Sequence, residues 1–326
     1  MTTAMGLLLL GMFPVWDAEL AVAPVELPGQ AIAGAMFGLR EMDMHLHAGL
    51  ERDVDLDTWL DLAAADGRKA ILLLDHIELY RMTPEEAASW AKDRGRDLWY
   101  PMGAEGHRHL MGDFTKAAAK RKDLVIFKGW EISESELDAD LESAPMAMAD
   151  AIGWHISPNH KGKPPNGQLL IKRIRQIKEA QQRFPVPMIV FHPFPMRLEH
   201  LVGQAKKNGK PPESLSIKEC RFFQPGEQQE AVRLLRGSSI YIEMSRATEG
   251  YWGFPNMREA LIADIKPLAR AGVQFIVSTD NHSVQSAKKP FQPDVYGDSC
   301  GITPKNTNTL VRELLALRAR HASTGH

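Results

Sequence analysis

Seven short runs of apolar, often β-branched residues recur along this chain, each separated from the next by a stretch with helical spacing. This alternation constrains the fold more than any other feature. The runs are Arg40–His47, Lys69–His76, Leu124–Ser133, Ala151–Ser157, Pro187–Pro193, Ser239–Ser245 and Gln274–His282. Segments such as Ile71-Leu72-Leu73-Leu74 and Ile189-Val190-Phe191 have no polar face, as expected of parallel strands covered on both sides. Between them, apolar spacing predicts helices at Asp57–Asp66, Asn166–Phe184, Gly226–Arg236, Asn256–Ala271 and Thr307–His321. Thr83-Pro84-Glu85-Glu86 is a capping box with proline at the first helical position, opening a helix to about Arg94. Pro158–Gly167 and Gly203–Pro212 read as long loops. Strand–helix alternation implies a parallel α/β architecture. With seven strands and no Gly-x-Gly-x-x-Gly after the first, a TIM-like barrel is favoured over a dinucleotide-binding sheet.

The ends of the runs carry a second pattern. Each supplies a residue able to hold a metal ion: His45 and His47, then Asp75-His76, Glu131, His155, His192, Glu243, and Asp280 with His282. Residues i and i+2 of a strand share a face, so His45 and His47 project side by side. In a parallel barrel the C-terminal strand ends converge on one rim, where such enzymes place their active sites. Burying so many ionisable groups together without a cation is costly. Cys220 and Cys300 are too few for a disulfide framework or a thiolate site, so any metal is held by His, Asp and Glu. Such a donor set suits zinc, manganese or iron. His107-x-His109 repeats the opening spacing on a Gly-flanked stretch with no strand before it and is set aside as a decoy.

A chain of 326 residues can hold one large barrel or two smaller domains. The expected division is an apolar N-terminal extension, 1–37, followed by one barrel, 38–326. With 44% hydrophobic and 25% charged residues and a net charge of −2, no specific nucleic-acid partner is indicated. The basic runs Lys116–Lys122 and Lys206–Lys210 read as solvated faces. Ala4–Trp16 has the length of a signal-peptide core, but no Lys or Arg precedes Arg40, so the charged n-region is missing. The run is too short to span a membrane. The expectation is a retained segment, a cytoplasmic protein, and an apolar N-terminal face through which copies of the chain could form a homo-oligomer.

The ordered set Asp43-x-His45-x-His47, Leu74-Asp75-His76, Gly129-x-Glu131, Phe191-His192-Pro193 and Thr279-Asp280-x-His282 resembles the motifs of the PHP (polymerase and histidinol phosphatase) family over residues 40–285. The resemblance implies a distorted seven-stranded (β/α)7 barrel holding two or three divalent metal ions. Carried over by position, His45, His47, Glu131 and Asp280 hold one metal. Glu131 bridges to a second, held by His155 and His192. His76, His282 and an acid soon after the first motif hold a third. Glu51 and Asp53 compete for that last place, and Asp53 is taken for its spacing. His155 is preferred to His160 because it ends the more strand-like run. Leu74 departs from the family, which usually has Thr there.

The function implied is that of a metal-dependent phosphoesterase acting on a small phosphorylated metabolite or nucleotide. A cluster of cations lowers the pKa of bound water from 15.7 to roughly 7, and the resulting hydroxide attacks phosphorus. Glu131, Asp280 and His192 are the expected catalytic ligands. Arg197 and Arg246, each just past a strand end, are the expected phosphate-binding cations. Lys161 and Lys163 rank below them, and Glu243 is either an orienting or a substrate-contacting acid. Two alternatives stand beside this reading: an amidohydrolase-like hydrolase of carboxylic esters or amides, and a non-catalytic metal-binding scaffold.

Overall fold

A computed structural model of the chain describes residues 36–132, 143–156 and 164–324. Its centre is a parallel sheet of seven strands in sequence order. These are β1 (Met42–His47), β2 (Ala70–His76), β3 (Val125–Ile132), β4 (Ala151–His155), β5 (Met188–Phe191), β6 (Ile240–Ser245) and β7 (Phe275–Ser278). The expected seven-stranded, TIM-like barrel is the fold found. Every residue of β1, β5, β6 and β7 is buried, which is why these runs lack a polar alternation.

The barrel closes unevenly. Adjacent strands from β1 to β7 share regular parallel ladders. The last strand meets the first only at the rim, through an isolated bridge between Leu46 and Asn281. Two hydrogen bonds make it: His47 N–H donates to Asn281 O at 3.1 Å, and Asp280 N–H donates to His45 O at 3.0 Å. Just beneath, Asp43 accepts from the Thr279 backbone N–H at 2.9 Å and from the Thr279 hydroxyl at 2.5 Å. This seam distorts the barrel.

The longer helices α1 (Leu56–Ala65), α2 (Pro84–Arg94), α3 (Gly103–Lys120), α4 (Gly167–Arg183), α5 (Pro193–Lys207), α6 (Glu227–Leu235), α7 (Pro255–Arg270) and α8 (Pro304–Thr324) alternate with the strands. The Thr83 capping box opens α2 as the sequence predicts, and Asn166 caps α4 by accepting from Leu169 N–H at 3.0 Å. Two helices were not expected. In α3, Gly106 and Gly112 mask an apolar stripe formed by His107, Leu110, Met111, Phe114 and Ala117. The expected loop from Gly203 begins instead as the last turn of α5. That helix tolerates Pro193 and Pro195 in its first turn, where a missing N–H costs nothing. Residues 1–35 of the expected N-terminal extension lie outside the described residues. Phe37 exchanges two 2.8 Å hydrogen bonds with Asn308 of α8. Among the described residues, no helix is long and apolar enough to cross a membrane.

Gly153 of β4 lies against the ring of Phe191, and a methyl group at that position would overlap the ring. Phe191 in turn packs its ring 3.8 Å from that of His45. Gly153→Ala is therefore expected to cost about 1–3 kcal/mol through overpacking, read as a lower urea midpoint with an unchanged slope.

Candidate metal centre

Strand-end side chains meet inside the C-terminal rim of the barrel. Asp43 pairs with Ile71 and Leu46 with Leu73, so β1 carries one extra residue between them, a bulge beside the two histidines. His45 Nε2 and His47 Nε2 stand 3.0 Å apart. Glu131 Oε2 lies 3.0 Å from the first and 3.1 Å from the second. Asp280 Oδ1 is 3.5 Å from each. The other Glu131 oxygen, Oε1, faces His192 Nε2 at 3.7 Å, and His155 completes a group with these two. On the opposite side, Glu51 Oε2 is 3.1 Å from His282 Nε2, 3.4 Å from His76 Nε2 and 3.7 Å from His47 Nδ1.

Two of these residues leave the strand geometry to reach their places. His192 and Asp280 follow β5 and β7 with φ of 56° and 55°, the only positive values among described non-glycine residues. Backbone in that region carries a cost and persists where surrounding contacts over-determine it. At His192 the contact is its own N–H, which donates to Glu243 Oε2 at 2.7 Å. Glu243 of β6 also pairs its Oε1 with His45 Nδ1 at 2.7 Å and its Oε2 with His192 Nδ1 at 3.0 Å. The Ser278 hydroxyl donates to Oε1 at 2.6 Å. Glu243 thus holds both rings by their far nitrogens and aims the Nε2 atoms inward, as carboxylates do behind metal-bound imidazoles. Glu78, with Oε1 3.3 Å from His76 Nδ1, takes the same position behind His76.

The electrostatics are those of a site crowded with charge. Burial works against the charged form of His45, yet Glu131, Glu243 and Asp280 outweigh it and raise its pKa to about 10. Burial pushes Glu51 up, but the imidazoles of His282, His47 and His76 hold it down at about 2. Glu131 and Asp280 are likewise held well below the carboxylate range by surrounding histidines, against the cost of burial. His155 goes the other way. Burial and the neighbouring His192 and His76 lower it to about 4, which leaves it neutral and able to donate a lone pair.

The donor set fits divalent cations. Glu131 Oε1, Asp280 Oδ1 and Glu51 Oε2 are buried and have no hydrogen-bond partner among the described residues. Four groups of three or more donors, with atoms within 4.8 Å of one another, cover six histidines and three acids. Glu131 belongs to two of the groups, and His47 to two. Both cysteines are buried free thiols outside all four groups.

Eight of the nine expected ligands stand in this cluster: His45, His47, His76, Glu131, His155, His192, Asp280 and His282. Of the two acids expected to compete for the ninth place, Glu51 stands in the cluster and Asp53 does not. Asp53 is exposed, and its two carboxylate oxygens accept from Val284 N–H at 3.0 Å, tying the first loop to the turn after β7. His160, Lys161 and Lys163 lie outside the described residues. His107 sits apart from the cluster, buried beside the rings of Tyr80 and Trp130, and His109 is exposed on the same helix. Arg197 donates to Pro165 O at 3.1 Å and Glu219 O at 2.8 Å, and the charges acting on it are those of Asp264, Cys220 and Glu227. That is a loop-tying task, away from the centre. Arg246 donates to Ser286 O at 2.8 Å and feels the charges of Asp43 and Asp280. Glu243 is marked by its place at the end of a strand run, whereas Glu78 carries no spacing signal that separates it from a surface acid; the fold gives each its histidines.

No protein-family model matches the chain, and no curated protein matches it. Among solved structures the chain is similar to histidinol phosphate phosphatase from Lactococcus lactis subsp. lactis Il1403, solved with zinc, L-histidinol and phosphate. The two are 14% identical over 88% of this chain and 93% of that one, with a TM-score of 0.47. A chain of archaeal ribonuclease P with mature tRNA is 10% identical over 86% of this chain and 92% of its own, with a TM-score of 0.48. Dihydroorotase from Campylobacter jejuni is 14% identical over 89% and 85%, with a TM-score of 0.32. At these identities the likeness is one of backbone alone.

Glu243→Gln is expected to lower metal affinity by about 10- to 100-fold, measured by zinc titration of the chelator-stripped protein, because one amide cannot serve both imidazoles. A second expectation concerns Glu249, three residues beyond Arg246. Burial raises its pKa to about 7, against the pull of the Gln292 N–H and of Arg246, Arg68 and Arg40. The folded value lies above the ordinary 4.5, so the native state holds the extra proton in between. This group's contribution to stability is full below 4.5 and is lost as pH rises through about 7. Glu249→Gln removes that slope, so the variant's melting temperature should gain on the wild type's between about pH 5 and about pH 8.

Proposed function

We propose that this chain is a metal-dependent phosphoesterase that hydrolyses a small phosphorylated metabolite or nucleotide. The observation that carries the reading is the posture of Glu131. One of its oxygens faces His45 and His47 while the other faces His192, the disposition of a carboxylate shared between two cation positions. Two or three zinc, manganese or iron ions held there would supply neutralising charge and water acidic enough to give hydroxide near pH 7. The ligands proposed are His45, His47, Glu51, His76, Glu131, His155, His192, Asp280 and His282. Their imidazoles contribute no charge when neutral, so the centre keeps a net positive field for an anionic substrate.

The other residues prepare the site. Glu243 fixes the aim of His45 and His192, so neither ring has to be reordered when substrate arrives. Arg246, half-buried near Asp280, keeps donors beyond the one given to Ser286 O and is the cation proposed to meet a phosphate oxygen. The rim chemistry alone serves phosphoric and carboxylic esters in principle. Phosphate is favoured because cations held by the groups that share Glu131 would neutralise the charge of its oxygens together.

The test is metal analysis of the purified protein with a panel of phosphomonoesters, phosphodiesters, carboxylic esters and amides. The expected result is bound divalent metal and turnover confined to phosphoric esters, falling by more than about a hundredfold in Glu131→Ala and His192→Ala. Turnover of carboxylic esters or amides alone would shift the protein to the amidohydrolase-like reading. Bound metal with no turnover at all would leave a scaffold.

A further inference from the structure

Glu51 is the sole acid of the group formed with His47, His76 and His282, and it lies on the loop between β1 and α1, not on a strand. A loop side chain has to be held in place by something, and the loop's own sequence, Ala48-Gly49-Leu50-Glu51-Arg52-Asp53-Val54, has little internal structure to do it. The holding comes from a distant stretch, Arg96–Tyr100. Arg96 Nη1 donates to Glu51 O. The Trp99 indole N–H donates to Arg52 O at 3.0 Å. The Arg52 guanidinium, buried at 4% exposure, lies 4.5 Å from the Trp99 ring centre and 5.1 Å from that of Tyr100. From there it donates to Ala48 O, to Val54 O at 3.1 Å and to the Tyr100 hydroxyl at 3.0 Å. Four carbonyls of one short loop, those of residues 48, 51, 52 and 54, are therefore occupied by three side chains. Asp75 adds a fifth anchor by accepting from Leu50 N–H at 2.6 Å, across the space kept open by Gly49.

A buried arginine that contacts no reacting group and spends its donors on the backbone beside a ligand is a tool for placing that ligand. We infer that Arg52, clasped by Trp99 and Tyr100, is a positioning residue that sets how tightly the His47/Glu51/His76/His282 group holds its cation. The two groups that share Glu131 meet this one only at His47, and their donors stand on or directly after strands, outside the reach of Arg52's contacts. The inference rests on the metal-centre reading above. Lysine cannot substitute, because a point charge neither stacks between two rings nor reaches three oxygens in a plane.

The experiment uses the full chain, stripped with chelator and titrated with cobalt(II), whose absorption reports coordination number. Ion count is taken in parallel by native mass spectrometry. The variants are Glu51→Gln as reference, Arg52→Lys, and Trp99→Phe, which keeps the ring and removes the N–H. Glu51→Gln is expected to lose one binding step. Arg52→Lys and Trp99→Phe are expected to weaken that same step by about tenfold or more, with the remaining steps and their spectra unchanged. Retention of wild-type affinity in both variants, while Glu51→Gln loses the step, would overturn this inference alone. So would a uniform weakening of every step, the mark of a merely structural role. Failure of the wild type to take up metal at all would overturn the phosphoesterase reading as well.

Discussion

The carboxylate of Glu131 is fully buried, and imidazoles approach it from both sides of the barrel. An anion in that position is intolerable unless positive charge stands beside it, and the rest of the rim answers that demand. His45, His47, His76 and His192 all lie within 3.7 Å of one of its oxygens. Protons on the imidazoles balance the carboxylates, and a bound cation would take the same lone pairs in their place. Crowding that would be a defect in an ordinary core is the property that makes the site able to accept cations.

Orientation is supplied by residues that never face the centre. Glu243 anchors two rings and one backbone N–H, and Ser278 steadies Glu243 in turn. Asp43 spends both oxygens on Thr279, the residue before Asp280. The two described non-glycine residues with positive φ, His192 and Asp280, are each gripped in this way, one by its own N–H and the other through its neighbour. Local strain at the rim is thus matched by contacts one layer below it.

Much of this was legible in the sequence, for identifiable reasons. Continuous apolar runs betray parallel strands because both faces are covered, and a ligand at the end of such a run is pointed at the rim by topology alone. The choice between Glu51 and Asp53 was not legible. Both sit on the same loop two residues apart, and what separates their surroundings lies more than two hundred residues away in sequence: the Val284 N–H takes Asp53, while Glu51 faces His282. Helix α3 was hidden because its glycines and histidines dilute the apolar stripe. Arg197 looked like Arg246 from its place after a strand. The fold separates them by turning Arg197 toward Pro165 and Glu219.

The uneven closure of the barrel has a consequence for how the molecule comes together. Between β7 and β1 the ladder amounts to a bridge at the rim, so this seam has the least backbone hydrogen bonding of any strand boundary in the sheet. The donors fall on both of its banks: His45 and His47 on one, Asp280 and His282 on the other. A cation bound across them would work as a rivet, replacing main-chain bonds that the seam lacks. In such a molecule, loading the centre would tie the last strand to the first.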